Sequence, residues 1–332
     1  IKLNSPIYIV AEMACAHDGN VNKAKKLVRA AKNANANCVQ LEIFEPDLTC
    51  IPGTEENLEL HSIYFTRKEW ASIINYCKKI KISVSVFAYD PKSLEFAIDQ
   101  KVDLIKFNSS DLGNVEMLDI LCKTKIPATL GTGSSTLEEI NLTLDYLFRR
   151  GKKNIIIVHG VQNFPTDPKY ERISKLDILS KNFNVLIGYA NHTAGENKFS
   201  QFIDFVAIGK DICLLEKHIT VNRKEKGIDY FSSLEPEEFK NYVKNIRFAE
   251  ETLGHKYGMN LIKPDLTYRV FQKKSIVAKY DLKKNHKIKK NDLIFIRHMK
   301  KQGISPIKYR KILGKKLKKA VKKNELIPLS TL

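Results

Sequence analysis

The sequence contains no Cys-x-x-Cys pair, no apolar run of about 18 residues, and no Gly-x-Gly-x-x-Gly after its first apolar segment. Its cysteines, Cys15, Cys38, Cys50, Cys77, Cys122 and Cys213, stand singly along 332 residues. That spacing argues against a disulfide framework or a zinc ribbon and for reduced thiols in a cytoplasmic protein. Without a long apolar run no membrane-spanning helix and no membrane partner is expected. The opening "IKLNSPIYIV" lacks the charged-then-apolar pattern and cleavage site of a signal peptide. Acidic residues are scarce at one end. Residues 255–332 hold 23 Lys/Arg against 4 Asp/Glu, whereas residues 1–254 hold 33 of each, so the net charge of +19 lies wholly in the last quarter. This asymmetry marks a domain boundary. The basic segment also lacks the interleaved aromatics of single-strand binders, and its lysines are dispersed. That favours a solvated basic face over a nucleic-acid partner.

What is present is alternation. Strand-like runs occur at 7–11, 38–44, 82–88, 102–108, 126–131, 154–160, 184–190 and 211–218. Helical patterns intervene near 21–35, 67–80, 91–100, 114–123, 136–150, 172–182, 196–208 and 235–253. Several helices open on start signals: Thr66 before "RKEW", Asp90-Pro91, and Thr136 with Glu139 three residues on. Eight strand-then-helix units in about 250 residues predict a (β/α)8 TIM barrel. A doubly wound sheet is the weaker alternative, since the Gly-rich dinucleotide turn is missing. The expected organisation is a barrel over 1–255, a linker over 256–271 with Gly258 and Pro264, and a small β-rich domain over 272–332.

A barrel places its chemistry at the C-terminal ends of the strands. Those ends carry Glu12, Glu42, Tyr89, Lys106 to Asp111, Thr132, His159 to Asn163, Asn191-His192 and Glu216 to His218. Two neutral imidazoles, His192 and His218, at the ends of neighbouring strands suit a divalent metal acting as a Lewis acid. The plainer alternative for a histidine is a hydrogen-bonded core residue. Glu12 and Glu216 could carry protons, or could be buried ion-pair partners of Lys106 or Lys217. Lys106 on a barrel strand needs an anionic partner. It could instead form a Schiff base, which would make a metal-free aldolase.

Four stretches resemble one family along nearly the full chain. Ala11-Glu12-Met13-Ala14-Cys15-Ala16-His17-Asp18-Gly19, Gly188-Tyr189-Ala190-Asn191-His192-Thr193, Glu216-Lys217-His218-Ile219-Thr220 and Asp229 to Pro236 are similar to motifs of the N-acetylneuraminate (sialic acid) synthase family. The C-terminal "SIVAKYDLKK" and "IRHMKKQGISP" resemble that family's antifreeze-like, or SAF, domain. The resemblance implies condensation of phosphoenolpyruvate with an N-acetylated, N-acetylmannosamine-like aldose, dependent on Mn2+ or Mg2+, to give a nonulosonic 2-keto-3-deoxy acid. It implies catalytic roles for Glu12 and Glu216 and a metal held by His192 and His218. Donor contacts are expected at Lys106, Ser109, Ser110, Thr132, Gln40 and Gln162, and acceptor contacts at Tyr189, Asn191, Phe164, Asp229 and Arg297. In the family an arginine at the position of Arg297 enters the neighbouring subunit's site, which implies a domain-swapped homodimer.

The chain also departs from the pattern. The family's second strand ends Val-Lys-Phe-Gln or similar; here it reads Val39-Gln40-Leu41-Glu42. Ala88-Tyr89 stands for Thr-Pro, Ala190-Asn191 for Ser-Asp, Gly131-Thr132-Gly133 for Ser-Thr-Gly, and Gln162 for Asn. Measured against the family's pattern, the residues implied to hold the metal are kept, while of those implied to hold the donor Lys106, Ser109, Ser110 and Thr132 remain and the rest are changed. Two further readings therefore stay open: a relative using another 2-oxo acid or lyase chemistry, and a non-catalytic sugar-binding paralogue.

Overall fold

A computed structural model of the chain describes residues 1, 5–254, 259–299 and 302–327. The start of the expected linker, 256–258, and Lys300 and Lys301 of the "IRHMKKQGISP" stretch lie outside them. Two compact units emerge, Ile1–His255 and Lys256–Leu332.

In the first unit eight parallel strands close into a barrel in sequence order. They are β1 (Tyr8–Glu12), β2 (Cys38–Ile43), β3 (Ser83–Ala88), β4 (Leu104–Phe107), β5 (Ala128–Gly131), β6 (Ile155–His159), β7 (Leu186–Asn191) and β8 (Leu214–His218). Pairing of β8 with β1 closes the ring, with Glu12 opposite His218. Each strand falls within a few residues of its expected segment.

The helices are α1 (Val21–Asn33), α2 (Pro46–Thr49), α3 (Glu55–Ile63), α4 (Arg67–Ile80), α5 (Pro91–Asp99), α6 (Val115–Cys122), α7 (Leu137–Arg149), α8 (Lys175–Asn182), α9 (Ser200–Ile208) and α10 (Pro236–Leu253). The expected start signals act as such. Thr66 with Glu69 and Thr136 with Glu139 form reciprocal capping boxes, and Asp90 caps α5 through the Ser93 amide. These bonds satisfy amide groups that a helix start leaves without partners. Helix α4 shows how the outer ring attaches. Trp70, Ile73, Ile74 and Cys77 recur at helical spacing on one face and are buried there. The short α2 and α3 after β2 were not expected; in α3 only Asn57 and Ile63 are buried, so the sequence offers no apolar stripe to read.

Side chains alternate along every strand, and this sorts the core into two parts. Ile9, Ala11, Leu41, Ile43, Val84, Val86, Ile105, Leu130, Ile157, Ile187 and Leu215 belong to the layer between strands and helices. Val10, Cys38, Leu104, Ile156, Val158, Ala190 and Leu214 form a separate, smaller cluster inside the ring. The interior cluster fills the lumen up to the level at which the polar residues begin.

In the second unit β9 (Lys274–Ala278) pairs antiparallel with β10 (Leu293–Arg297). Ile276, Leu282, Ile288, Ile304, Ile312, Leu317, Val321 and Ile327 pack into its own core. The expected linker is in part helical, α11 (Lys263–Phe271). Among the described residues no helix is long and apolar enough to cross a membrane.

Candidate active site

The lumen-facing positions of β1, β2, β4 and β8 turn polar at their C-terminal ends, with Ser85 of β3 and His192 just past β7 added to them. Strand register sets Glu12 beside Gln40 and Gln40 beside Ser85. It also sets Glu42 beside Phe87 and Phe87 beside Lys106. Glu216 and His218 come from the same face of β8, and His192 follows directly on β7.

These side chains form one connected network. Glu12 Oε1 accepts from the Ala14 amide at 2.8 Å, and its other oxygen accepts from the Gln40 side-chain amide. The same Gln40 nitrogen lies 3.3 Å from Glu216 Oε2, while Gln40 Oε1 accepts from the Ser85 hydroxyl at 2.9 Å. Lys106 ion-pairs with Glu216, lies 3.8 Å from Glu12 and sits 5.0 Å over the Phe87 ring. Burial by itself would neutralise Lys106, but the attraction of Glu216 and Glu12 outweighs it and raises its pKa. Glu12 is pushed up to about 7, first by burial and then by the Glu216 charge, against the pull of Lys106. A carboxyl balanced near neutrality can both give and take a proton.

Beside this network lies a second acidic group. Glu42 is buried, with the Cys15 thiol donating to Oε2 at 3.6 Å. Burial, Glu12 and Asp229 hold its carboxyl well above the usual range. Asp229 takes a left-handed backbone (φ 63°) and accepts from the Cys15 amide at 3.3 Å. Among the described residues Lys106 is the one ammonium in the lumen, faced by Glu216, Glu12 and Glu42.

His192 and His218 meet with ring centroids 5.3 Å apart. His192 Nδ1–H donates to the Val161 carbonyl at 2.6 Å, which fixes the tautomer and leaves the Nε2 lone pair free. His218 Nδ1 is buried with no hydrogen-bond partner. Burial lowers His192 to about 4 and His218 well below the ordinary histidine value, so both rings are neutral at physiological pH. Neutral, under-satisfied imidazoles are what a borderline divalent ion requires. Among the described residues no group of three or more His, Cys, Asp or Glu side chains is arranged to hold a metal. The pair would therefore supply two ligands, with the remainder from water or substrate. Phe164, 42% exposed, lies over both rings at 4.5 and 5.7 Å.

The other expected donor residues ring the mouth. Ser109 and Ser110 form a short turn beyond β4, Ser110 being exposed. Thr132 is buried just past β5, its amide bonded to Val158 O at 3.0 Å. Gln162 is exposed and packs over Gly133, where a Cβ would collide with Gly160 and Gln162. Arg297 ends β10 in the second unit, opposite Lys274 and exposed.

Two expected acceptor contacts are placed elsewhere. Tyr189 and Asn191 fall on the outer face of β7. The Tyr189 hydroxyl donates to Glu171 at 2.7 Å, and the Asn191 amide donates to Asp204 at 3.0 Å. Alternation is the cause: with Ala190 in the lumen, its neighbours must point out. His17 likewise packs as a core residue, stacked on Phe65 at 4.4 Å. Gln40 belongs to the Glu12–Glu216 network. Ser85, Phe87 and Cys15 were not anticipated as part of the site. For Ser85 and Phe87 the signal was available, since they stand two apart on β3 as Gln40 and Glu42 do on β2.

A model of the NeuB family matches residues 27–258, and a SAF-domain model matches residues 273–332. The chain is 28% identical to the N,N'-diacetyllegionaminic acid synthase of Legionella pneumophila, over 93% of this chain and 90% of that protein. It is 27% identical to the N-acetylneuraminate-9-phosphate synthase of Drosophila melanogaster, over 98% and 96%. The fold is similar to that of the N-acetylneuraminic acid (sialic acid) synthetase of Leptospira borgpetersenii, with TM-score 0.74 and 24% identity over 81% of this chain and 94% of that one.

The raised Glu12 value has a measurable consequence. The folded protein holds this proton more tightly than the unfolded chain, whose value is 4.5. Its contribution to stability is thus complete below 4.5 and is lost as pH rises through about 7. Glu12→Gln is expected to gain stability relative to the wild type across that window, read from denaturant midpoints. A pH-independent difference would contradict the assignment.

Proposed function

We propose, from the premise that this chain belongs to the NeuB family, that it is a transferase condensing phosphoenolpyruvate with an N-acetylated aldose of the N-acetylmannosamine class. A new bond joins the donor methylene to the aldehyde carbon, water adds at the donor C2, and phosphate leaves, giving a nonulosonic 2-keto-3-deoxy acid. The observation that carries this reading is the convergence of Glu12, Lys106 and Glu216 with two neutral imidazoles at one barrel mouth.

His192 and His218 are the residues that would hold a manganese or magnesium ion, which would polarise the aldehyde oxygen of the acceptor. Glu12, balanced near neutrality, exchanges a proton with the acceptor oxygen or the attacking water. Glu216, paired with Lys106, assists proton transfer on the opposite side of the network. Phe164 screens the histidine pair from bulk water. Ser109, Ser110, Thr132 and Gln162 offer neutral hydrogen bonds to the donor. The reaction is assigned to the cytoplasm, where free cysteines stay reduced.

A second reading is favoured by the lumen's charge. Lys106 is already engaged by Glu216, Gln40 adds no cation, and Glu42 adds a further acid. A trianionic donor has to draw Lys106 away from a carboxylate. This supports a weakened affinity for phosphoenolpyruvate, or a different 2-oxo-acid donor.

We also propose a homodimer in which Arg297 of one chain serves the other's active site. Its support is the family-like sequence around Arg297 and a guanidinium that offers paired donors to a carbonyl or carboxylate.

Phosphate release from phosphoenolpyruvate that requires both an N-acetylated aldose and Mn2+ is the expected assay result, and bound metal should fall in His192→Ala and His218→Ala. Turnover without an aldose, or unchanged metal in both variants, would sink the reading. For the donor, calorimetry should find wild-type affinity weaker than micromolar, with Gln40→Lys tightening it about tenfold or more, as expected for a charged hydrogen bond worth about 1.5–3 kcal/mol. Low-micromolar binding to the wild type would remove the case for an altered donor. Finally, Arg297→Ala and His218→Ala chains, each inactive, should regain activity when mixed into one dimer; a verified mixed dimer without activity rules out a shared site.

A further inference from the structure

The EKH triplet at 216–218 sends its outer residues, Glu216 and His218, into the lumen, and alternation drives Lys217 the other way. Lys217 is buried at 1% exposure in the layer between strands and helices. An ammonium there is costly, and a leucine would fill the same space at no electrostatic penalty. Its contacts indicate what the charge does. The ammonium shares its protons among Asn191 Oδ1 at 3.0 Å, Ser200 Oγ at 3.2 Å, and the Asn191 and Thr193 carbonyls, each at 3.4 Å. Those two carbonyls flank His192.

The grip is reinforced from Asn191. Its Oδ1 also accepts from the Thr193 amide at 2.9 Å and the Thr193 hydroxyl at 2.6 Å. Its Nδ2 donates to Asp204 Oδ2 at 3.0 Å and to Ser200 O at 3.2 Å. Asp204, fully buried on α9, offsets the lysine charge through this amide. The backbone on both sides of His192 is thus held by one cation on the strand that carries His218. We infer that Lys217 is a positioning residue that sets the His192–His218 geometry from the outer face of β8, and with it the affinity of the pair for a divalent ion. This rests on the imidazole-pair reading above. A ligand's orienting partners commonly change metal affinity about 10–100-fold when removed.

A cavity of about 480 Å³ between α9 and α10, lined by Lys217, Ser200, Gln201, Asn241, Tyr242 and Asn245, borders Lys217 on its outer side. It provides a charge-specific test. Mn2+ affinity, from the free-ion electron paramagnetic resonance signal, is measured for the wild type, Lys217→Met and Lys217→Ala. Hydrogen exchange at amides 191–193 is followed without metal. Both variants should bind Mn2+ about 10–100-fold more weakly and exchange faster at those amides. Ethylammonium should restore part of the lost affinity to Lys217→Ala, whereas propanol should not. Wild-type exchange together with wild-type affinity in Lys217→Met overturns the inference, as does equal rescue by propanol. If the wild type itself binds no Mn2+, the metal reading fails and unchanged exchange alone overturns the positioning role. Should Lys217→Met not fold, Ser200→Ala removes a single acceptor and is expected to shift both readouts in the same direction; no shift in either overturns it.

Discussion

Backbone pairing of β1 with β8 ties residues 8–12 to residues 214–218 and turns an open sheet into a ring. Every distance in the site depends on that closure. It brings Glu12 and His218 into register although nearly the whole barrel sequence separates them. It also gives the lumen a closed wall, so that desolvation acts on Glu12, Glu42, Lys106 and Glu216 together. An open sheet would leave Glu12 on β1 and Glu216 on β8 at opposite edges, far apart and hydrated.

Inside the ring, charge is the controlling quantity. Lys106 shares a small volume with Glu12 and Glu42, so their protonation states are set jointly and not residue by residue. Gln40 is central to this arrangement, since a neutral amide lets Glu12 and Glu216 approach the same nitrogen without a second cation. The family-like pattern places a lysine there. The amide of Gln40 keeps the two carboxylates close without adding charge. The relatives that the chain resembles are named for different sugar acids at similar identity, so overall likeness does not select an acceptor.

Outside the ring, the layer between strands and helices is not uniformly apolar. Lys217, Asn191, Asp204, Ser200 and Thr193 form a polar inclusion behind the histidine pair. Such an inclusion defines one arrangement of the β7 turn, because each polar group left without its partner in this layer carries a large desolvation cost. The apolar contacts around it, such as Leu215 and Ile219, would tolerate several arrangements of similar volume.

Much of this was legible in the sequence. The period of apolar residues, the Thr66, Asp90 and Thr136 start signals and the order of eight repeats determined the barrel, because local hydrogen bonding and burial act on neighbours in the chain. The charge break near residue 255 reflects composition in the same way. The polar strand ends Glu12, Lys106, His192, Glu216 and His218 were also readable, since a barrel gathers strand ends at one mouth. Which side of the wall each residue occupies was not. Tyr189 and Asn191 read as mouth residues and face the helices, whereas Glu42, read the same way, faces the lumen. A shift of one residue in strand phase exchanges the two faces. That phase is decided only when the ring closes and all eight strands must bury their apolar faces at once.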